Sequence, residues 1–283
     1  MIDERAEIGV FGGSGFYSLF DDVREIKVDT PYGSPSDSFF LAEVAGRAVA
    51  FLPRHGRRHT IPPHRINYRA NVWAMRALGV RAVVSPCAVG SLQRRVAPGD
   101  FVVCDQFVDR TSGRADTFYD GPIVTHLSSA ELYDPTLRAL AIDVIREHGI
   151  TLHETGTIVV IQGPRFSSKA ESRWFSAMGW DVIGMTGYPE AYLCRELGMA
   201  VVNISLVTDY DAGVIEGTEA VDAMSVIEVF QMNAARIQRV VLDLIARCPA
   251  DLEALGAAQA LGVTRGDGHA VAAEDVRLFD TRF

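Results

Sequence analysis

Short apolar runs alternate with amphipathic stretches along the chain. That alternation predicts an α/β fold in which a mixed central sheet is flanked by helices on both faces. Glu7 to Phe11 runs into glycines, Ala48 to Leu52 into an Arg-His turn, and Val80 to Ser85 into Pro86 and small residues. Each of these expected strands ends in a loop that carries chemistry. Ile66, Ala70, Trp73 and Ala77 fall at i, i+4, i+7 and i+11, which draws one apolar stripe along a helix that Gly79 terminates. That stripe reads as core. Further strands are expected over Phe101 to Cys104, Thr157 to Ile161, Asp181 to Met185 and Ala200 to Val207, with helices near Pro135 to His148 and Pro189 to Leu197. Val221 to Arg247 predicts a long closing helix, with Val226, Phe230, Ile237, Val241, Leu244 and Ile245 near helical spacing. No repeat, charge block or linker rich in Pro, Gly and Ser marks a boundary, so residues 1–283 read as one domain with an Ala- and Gly-rich tail over 249–283.

Composition narrows the class of function. With 283 residues, 48% of them apolar, the chain can bury a sizeable core. A net charge of −9 argues against a protein that grips nucleic acid, because duplex backbones are held by clustered positive charge. Any anionic ligand then needs a local basic pocket. Nothing approaches the roughly 18 consecutive apolar residues of a spanning helix, and Met1 to Glu7 is too polar for a signal peptide. The expectation is a cytoplasmic protein with no membrane partner. Cys87, Cys104, Cys194 and Cys248 are widely separated, without a C-x-x-C pair, and read as reduced, mostly buried thiols.

Four segments carry candidate chemistry. Gly12-Gly13-Ser14-Gly15 follows the first apolar strand, where glycines let backbone N–H groups close around a phosphate and a serine adds a donor. It lacks dinucleotide-fold and P-loop spacing, and a plain tight turn fits it as well. Arg54-His55-Gly56-Arg57-Arg58-His59 is a positive cluster at a strand end in an otherwise acidic chain. There a guanidinium can hold two phosphate oxygens at once and an imidazole can donate another hydrogen bond. His55, His59 and His64 invite a metal reading, but spacings of four and five do not fit one helix face and no carboxylate or cysteine is close in sequence, so no metal is expected. Gln162 to Ser168 follows another strand, and Phe166 offers either a stacking face for a flat heterocycle or a core side chain. Asp209 and Asp211, one residue apart beyond a strand, suit an exocyclic amine or a ring nitrogen as well as a solvated acidic turn.

Taken together and in order, GGSGFY, TPYGSPSD, PRHGRRH, NYRANVWAMRALG, CAVGSL, DQFVDRT, QGPRFSSKAES, MTGYPEA and TDYD resemble the methylthioadenosine phosphorylase family, trimeric type I purine nucleoside phosphorylases. The likeness runs from about Ile8 to about Asp211 and leaves the tail after Arg247 uncovered. It implies a nucleoside phosphorylase-like fold and a homotrimer. It also implies a phosphate pocket made by Ser14, Arg54, His55, Cys87, the Ala88 backbone N–H and Thr186. Cys87 stands where the family usually has a threonine, and a thiol is a weaker donor. Met185 matches the residue beneath the ribose, and Phe166, Ser167, Asp209 and Asp211 match the purine site. His126, Ala223 and Val226 align with the surroundings of the 5′ substituent, where apolar side chains favour a methylthio group over a hydroxyl.

The resemblance implies a transferase of purine and methionine salvage, cleaving 5′-methylthioadenosine to adenine and 5-methylthioribose 1-phosphate, with inorganic phosphate as co-substrate and no other cofactor. In that reading Arg54, His55, Ser14 and the Ala88 amide orient phosphate against C1′. Asp209, protonated or sharing a proton, serves purine N7, and Asp211 helps read the amino group. The alternatives are a phosphorylase for 5′-halogenated deoxyadenosine or 6-oxopurine nucleosides, a nucleosidase that uses water, and a non-catalytic nucleotide-binding protein.

Overall fold

The computed structural model describes residues 4–12, 22–121, 126–215, 223–252 and 255, with side chains in the last helix from 228 onward except 230 and 231. At its centre β1 (Ile8–Gly12) runs parallel to β4 (Arg47–Pro53) on one side and to β5 (Ala82–Ser91) on the other. All three are apolar nearly throughout because strands covered on both faces have no solvent side. Beyond β4 the sheet continues through the antiparallel β3 (Phe39–Val44) and β2 (Arg24–Ile26). Ala45 and Gly46, both at positive φ, make the two-residue hairpin turn between β3 and β4. The other edge of β5 is lined along its whole length by the parallel β11 (Ala200–Tyr210). Short strands β6 (Phe101–Val102) and β8 (Leu152–His153) follow from β11. The order is completed by β10 (Val182–Gly184), which meets β5 antiparallel, then β9 (Thr157–Ile161) and β7 (Gln106–Arg110).

Two apolar layers sandwich this sheet, and the strand period of two divides residues between them. Phe11, Val83, Val89, Val201 and Val207 pack with α1 (Tyr68–Ala77) and α4 (Gly187–Glu196). Ile8, Val10, Ala82, Val84, Val202 and Ile204 pack with α2 (Pro135–Glu147) and α5 (Ala223–Arg247). The fold is thus the mixed sheet flanked by helices that the alternation predicts. Ala70, Trp73 and Ala77 are buried on α1 as expected, while Ile66 is buried ahead of the helix, which Asn67 caps by accepting from the Ala70 N–H at 3.2 Å. A helix the periodicity does not predict, α3 (Lys169–Ala177), opens on a capping box of Ser168 and Glu171. The four cysteines are free and buried. Among the described residues no helix is long and apolar enough to cross a membrane.

One expected boundary is wrong in an informative way. β5 does not stop at Ser85 but continues through Pro86 to Ser91. β1 pairs with β5 only as far as Val84, and β10 takes up that same edge at Gly90, so residues 85–89 face no strand on this side. The Pro86 carbonyl points into the gap, where it accepts from Arg54, and its missing N–H breaks no ladder bond.

The fold also makes a stability prediction. Asp134, almost fully buried, caps α2 by accepting from the backbone N–H groups of Thr136 and Leu137, both at 3.0 Å. Asp134→Ala leaves those donors without partners and is expected to lower the unfolding free energy by about 1–2 kcal/mol, read as a lower midpoint in urea denaturation.

Candidate active site

The chemistry-bearing segments converge at the carboxyl ends of the strands. Arg54 follows β4, Gln162 follows β9, Met185 follows β10, and Asp209 is the penultimate residue of β11. This is where open α/β sheets bind ligands. The gap beside residues 85–89 of β5 is the middle of that cleft.

Arg54 fills the inner end of the gap. Its guanidinium is buried and makes a two-pronged ion pair with Glu190 of α4, Nε donating to Oε2 at 2.6 Å and Nη2 to Oε1 at 2.8 Å. The Ser85 hydroxyl donates to the same carboxylate at 2.7 Å, and Nη2 also reaches the Phe11 carbonyl at 3.1 Å. Burial opposes the charge on Arg54, and the Glu190 carboxylate more than offsets it, so its pKa lies above the ordinary value. The forked edge expected to grasp two phosphate oxygens therefore holds Glu190. The Nη1 side, with one long bond of 3.4 Å to Pro86, is what remains for a ligand.

His55 also differs from expectation. Nδ1 lies 2.8 Å from the Ile61 carbonyl, and a carbonyl only accepts, so Nδ1 carries the proton. Burial, with Arg54 and His59 adding to it, pushes the pKa down to about 4. The ring is neutral near pH 7 and its Nε2 is an acceptor rather than the donor foreseen. The His59 ring stacks on it at 4.4 Å.

On β5 itself, Ala88 is exposed on an otherwise buried strand. Main-chain groups alternate between the two edges of a strand, so the Ala88 N–H shares the open edge with the Pro86 carbonyl. Cys87 faces the α4 side, its Sγ 3.8 Å from the hydroxyl of Thr186, the N-cap of α4, and 3.4 Å from Asn203 Nδ2. Both Cys87 and Thr186 are buried at the cleft floor.

The paired carboxylates stand on the neighbouring strand, Asp209 near the end of β11 and Asp211 just beyond it. A register shift between Val207 and Asp209 bulges β11 and brings Asp209 opposite Gly90. A side chain at Gly90 would begin 3.1 Å from Asp209 Oδ2 and 3.5 Å from Asp211 Cβ, so the glycine opens the space both aspartates use. Asp209 Oδ1 accepts from the Thr208 hydroxyl at 2.7 Å, and Asp211 Oδ2 from Ser172 at 2.5 Å. Burial first, and Asp211 second, raise the Asp209 pKa to about 6. Asp211 is raised as well, again mainly by burial. Ser167 is buried and Phe166 half-buried on the loop before α3, and Met185 is half-buried between β10 and α4.

Arg54, His55, Cys87, Ala88, Thr186, Asp209 and Asp211 are therefore gathered around the second half of β5. Ser14 lies outside the described residues, as do the side chains of Ala223 and Val226, whose backbone forms the first turn of α5. His126 is exposed, and the hydrogen bonds of the cleft do not include it. Sequence reasoning missed Glu190, Ser85 and Gly90. Glu190 stands within the MTGYPEA block, where a helical glutamate gives no sign of being 1% exposed. Among the described residues no three His, Cys, Asp or Glu side chains gather as metal ligands would.

The chain is 54% identical over 257 residues to a purine nucleoside phosphorylase of Streptomyces coelicolor, an alignment covering 88% of this chain and 91% of that protein. It is 50% identical over 248 residues to an S-methyl-5′-thioadenosine phosphorylase of Thermofilum pendens, covering 87% and 94%. Its fold superposes on a methylthioadenosine phosphorylase of Schistosoma mansoni in complex with adenine, with a TM-score of 0.82, 37% identity and coverage of 86% and 91%. The sequence pattern of the Phosphorylase superfamily matches residues 7–246, and the chain belongs to that family.

Proposed function

We propose that the protein catalyses phosphate-dependent cleavage of 5′-methylthioadenosine to adenine and 5-methylthioribose 1-phosphate. The observation that carries this reading is the second half of β5, which meets the Arg54–Glu190 pair at Pro86 on its open edge and Asp209, with Asp211 just beyond it, across its other edge. The first side suits an oxyanion and the second a departing aminopurine. The relatives named for methylthioadenosine support the same substrate.

Phosphate, oriented by Arg54 Nη1, the Ala88 N–H, Thr186 and Ser14, attacks C1′ as positive charge develops there. Neutral His55 accepts a hydrogen bond at Nε2 from a protonated phosphate oxygen, so one phosphate O–H points away from the sugar. Asp209, buried enough to keep its proton to about pH 6, protonates or hydrogen-bonds N7 as charge reaches the base. Asp211 and Ser167 help read the amino edge, Phe166 stacks on the purine, and Met185 lies under the ribose. We further read the protein as one phosphorylase domain acting in the cytoplasm as a homotrimer. His126 of one subunit then joins Ala223 and Val226 around the neighbour's 5′ group. The relative named as a purine nucleoside phosphorylase favours, as second reading, a wider range of purine nucleosides.

Incubated with methylthioadenosine, the protein is expected to release adenine only when phosphate is present; adenine release at the same rate without phosphate would identify a nucleosidase instead. Arg54→Lys keeps the charge but loses the fork that anchors it on Glu190, and the KM for phosphate should rise about tenfold or more. Asp209→Asn should lower kcat/KM for methylthioadenosine by about 10²–10⁴-fold and shift relative preference toward inosine. The sign of the pH dependence follows from a raised carboxyl pKa. The acid form of Asp209 is lost as pH rises through about 6, so kcat/KM should fall over that range in the native enzyme. Asp209→Asn should lack this limb, while the titration of phosphate is common to both.

A further inference from the structure

Arg114, in the loop after β7, makes six side-chain hydrogen bonds against five for Arg54, and no role has been given to it. Its Nη2 donates to the carbonyls of Met185 at 2.9 Å and Gln162 at 3.0 Å, with Ile161 at 3.4 Å. Nη1 donates to the Tyr188 carbonyl at 2.5 Å and to the Tyr68 hydroxyl at 3.2 Å, and Nε to Gln162 Oε1 at 3.2 Å. The guanidinium lies 5.2 Å over the Tyr68 ring. Every one of these partners is neutral. An arginine so placed stabilises backbone geometry rather than a partner charge, and burial draws its pKa below the ordinary value.

The position explains the need. β10 and β9 are paired only as far as Gly184 and Val160, and β9 meets β7 last at Ile161. Beyond those pairs the strands part to admit a ligand, and carbonyls that a ladder would have satisfied are left open. Arg114 takes their place, holding Met185 and Gln162 on one nitrogen. The two segments are also in tight contact, since a side chain at Gly163 would begin 2.7 Å from Met185 Sδ and 3.3 Å from Pro63 Cγ. Tyr68, which accepts from Arg114, donates in turn to the Pro63 carbonyl at 3.0 Å and ties in the turn after the Arg54 loop.

We propose that Arg114 is a positioning residue that sets the spacing between Met185, under the sugar, and the Gln162–Ser168 loop, beside the base. The proposal rests on the phosphorolysis reading, since it assigns those two segments to the nucleoside. Besides the Tyr188 carbonyl of α4, Arg114 holds the Met185 and Gln162 carbonyls on the nucleoside side and bonds to no atom offered to phosphate, so its loss acts on one substrate more than the other.

Arg114→Met keeps most of the volume and removes every donor, and Arg114→Lys keeps the charge with fewer simultaneous bonds. With methylthioadenosine and phosphate varied separately, R114M is expected to raise the nucleoside KM on the order of tenfold and to lower kcat at least as much. The phosphate KM should stay within about twofold, and R114K should fall between R114M and the native enzyme. A merely structural defect lowers the folded fraction, measured by circular dichroism, and with it Vmax, but leaves the KM of the remaining enzyme unchanged. Native nucleoside KM in R114M, whatever its Vmax, overturns the proposal. If R114M does not fold, native nucleoside KM in R114K overturns it equally. Adenine affinity measured by calorimetry supplies the same comparison without turnover and is expected to weaken in both variants. Failure of the native protein to release adenine in phosphate would overturn the underlying reading instead, and is seen before any variant is made.

Discussion

β5 has a different neighbour on one edge at each end, and between Val84 and Gly90 it has none. A strand buried in the middle of a sheet rarely leaves main-chain groups unpaired, because each costs as much as a lost hydrogen bond. Here the interruption has side-chain answers. Arg54 reaches across to the Pro86 carbonyl and to Phe11 at the end of β1, and proline removes one donor from the count. What is left, the Ala88 N–H, faces the cleft. The gap proposed to take phosphate is thus a consequence of how β1 and β10 share one edge of one strand.

Holding Arg54 there requires a counter-charge, and Glu190 supplies it with nearly ideal fork geometry and a hydroxyl from Ser85. Buried ion pairs are costly unless their remaining hydrogen-bond capacity is used, and this one uses it on both partners. The arrangement leaves the guanidinium rigid and its Nη1 edge aimed into the gap. Asp209, a few residues further along the same sheet, has the opposite circumstance: one hydroxyl, a second carboxylate nearby and no cation. Two carboxylates in one cleft thus have opposite surroundings, Glu190 paired with a guanidinium and Asp209 without a cation, and the proposed reaction uses the second as a proton carrier.

Much of this is legible in the sequence, and what is not has a common cause. Apolar runs show where strands end because residues buried on both faces leave the first polar group at the sheet boundary, which is how Arg54, Gln162 and Asp209 stand out. The length of β5 is not legible, since Pro86 reads as a stop unless it is known which edge lacks a neighbour. Which atoms of a recognised residue are free is not legible either. Arg54 stands at its strand end as expected, yet its fork belongs to a glutamate 136 positions away. His55 lies beside it, yet the Ile61 carbonyl decides its tautomer and turns an expected donor into an acceptor.

Arg114 is the extreme of the same rule. Its partners are chiefly main-chain oxygens, which every residue possesses and no sequence labels, so the side chain looks like any solvated arginine in DRTSGRAD. Backbone carbonyls become informative only when their ladder has been withdrawn, and that happens where strands diverge around a ligand. A sheet that opens to form a site must replace lost ladder bonds with side chains carrying several donors in a plane, and arginine is the residue that does so. The same guanidinium chemistry therefore serves two ends of this cleft. One copy is fixed by a carboxylate and keeps one edge free, and the other bonds only to neutral groups and ties the two walls to each other.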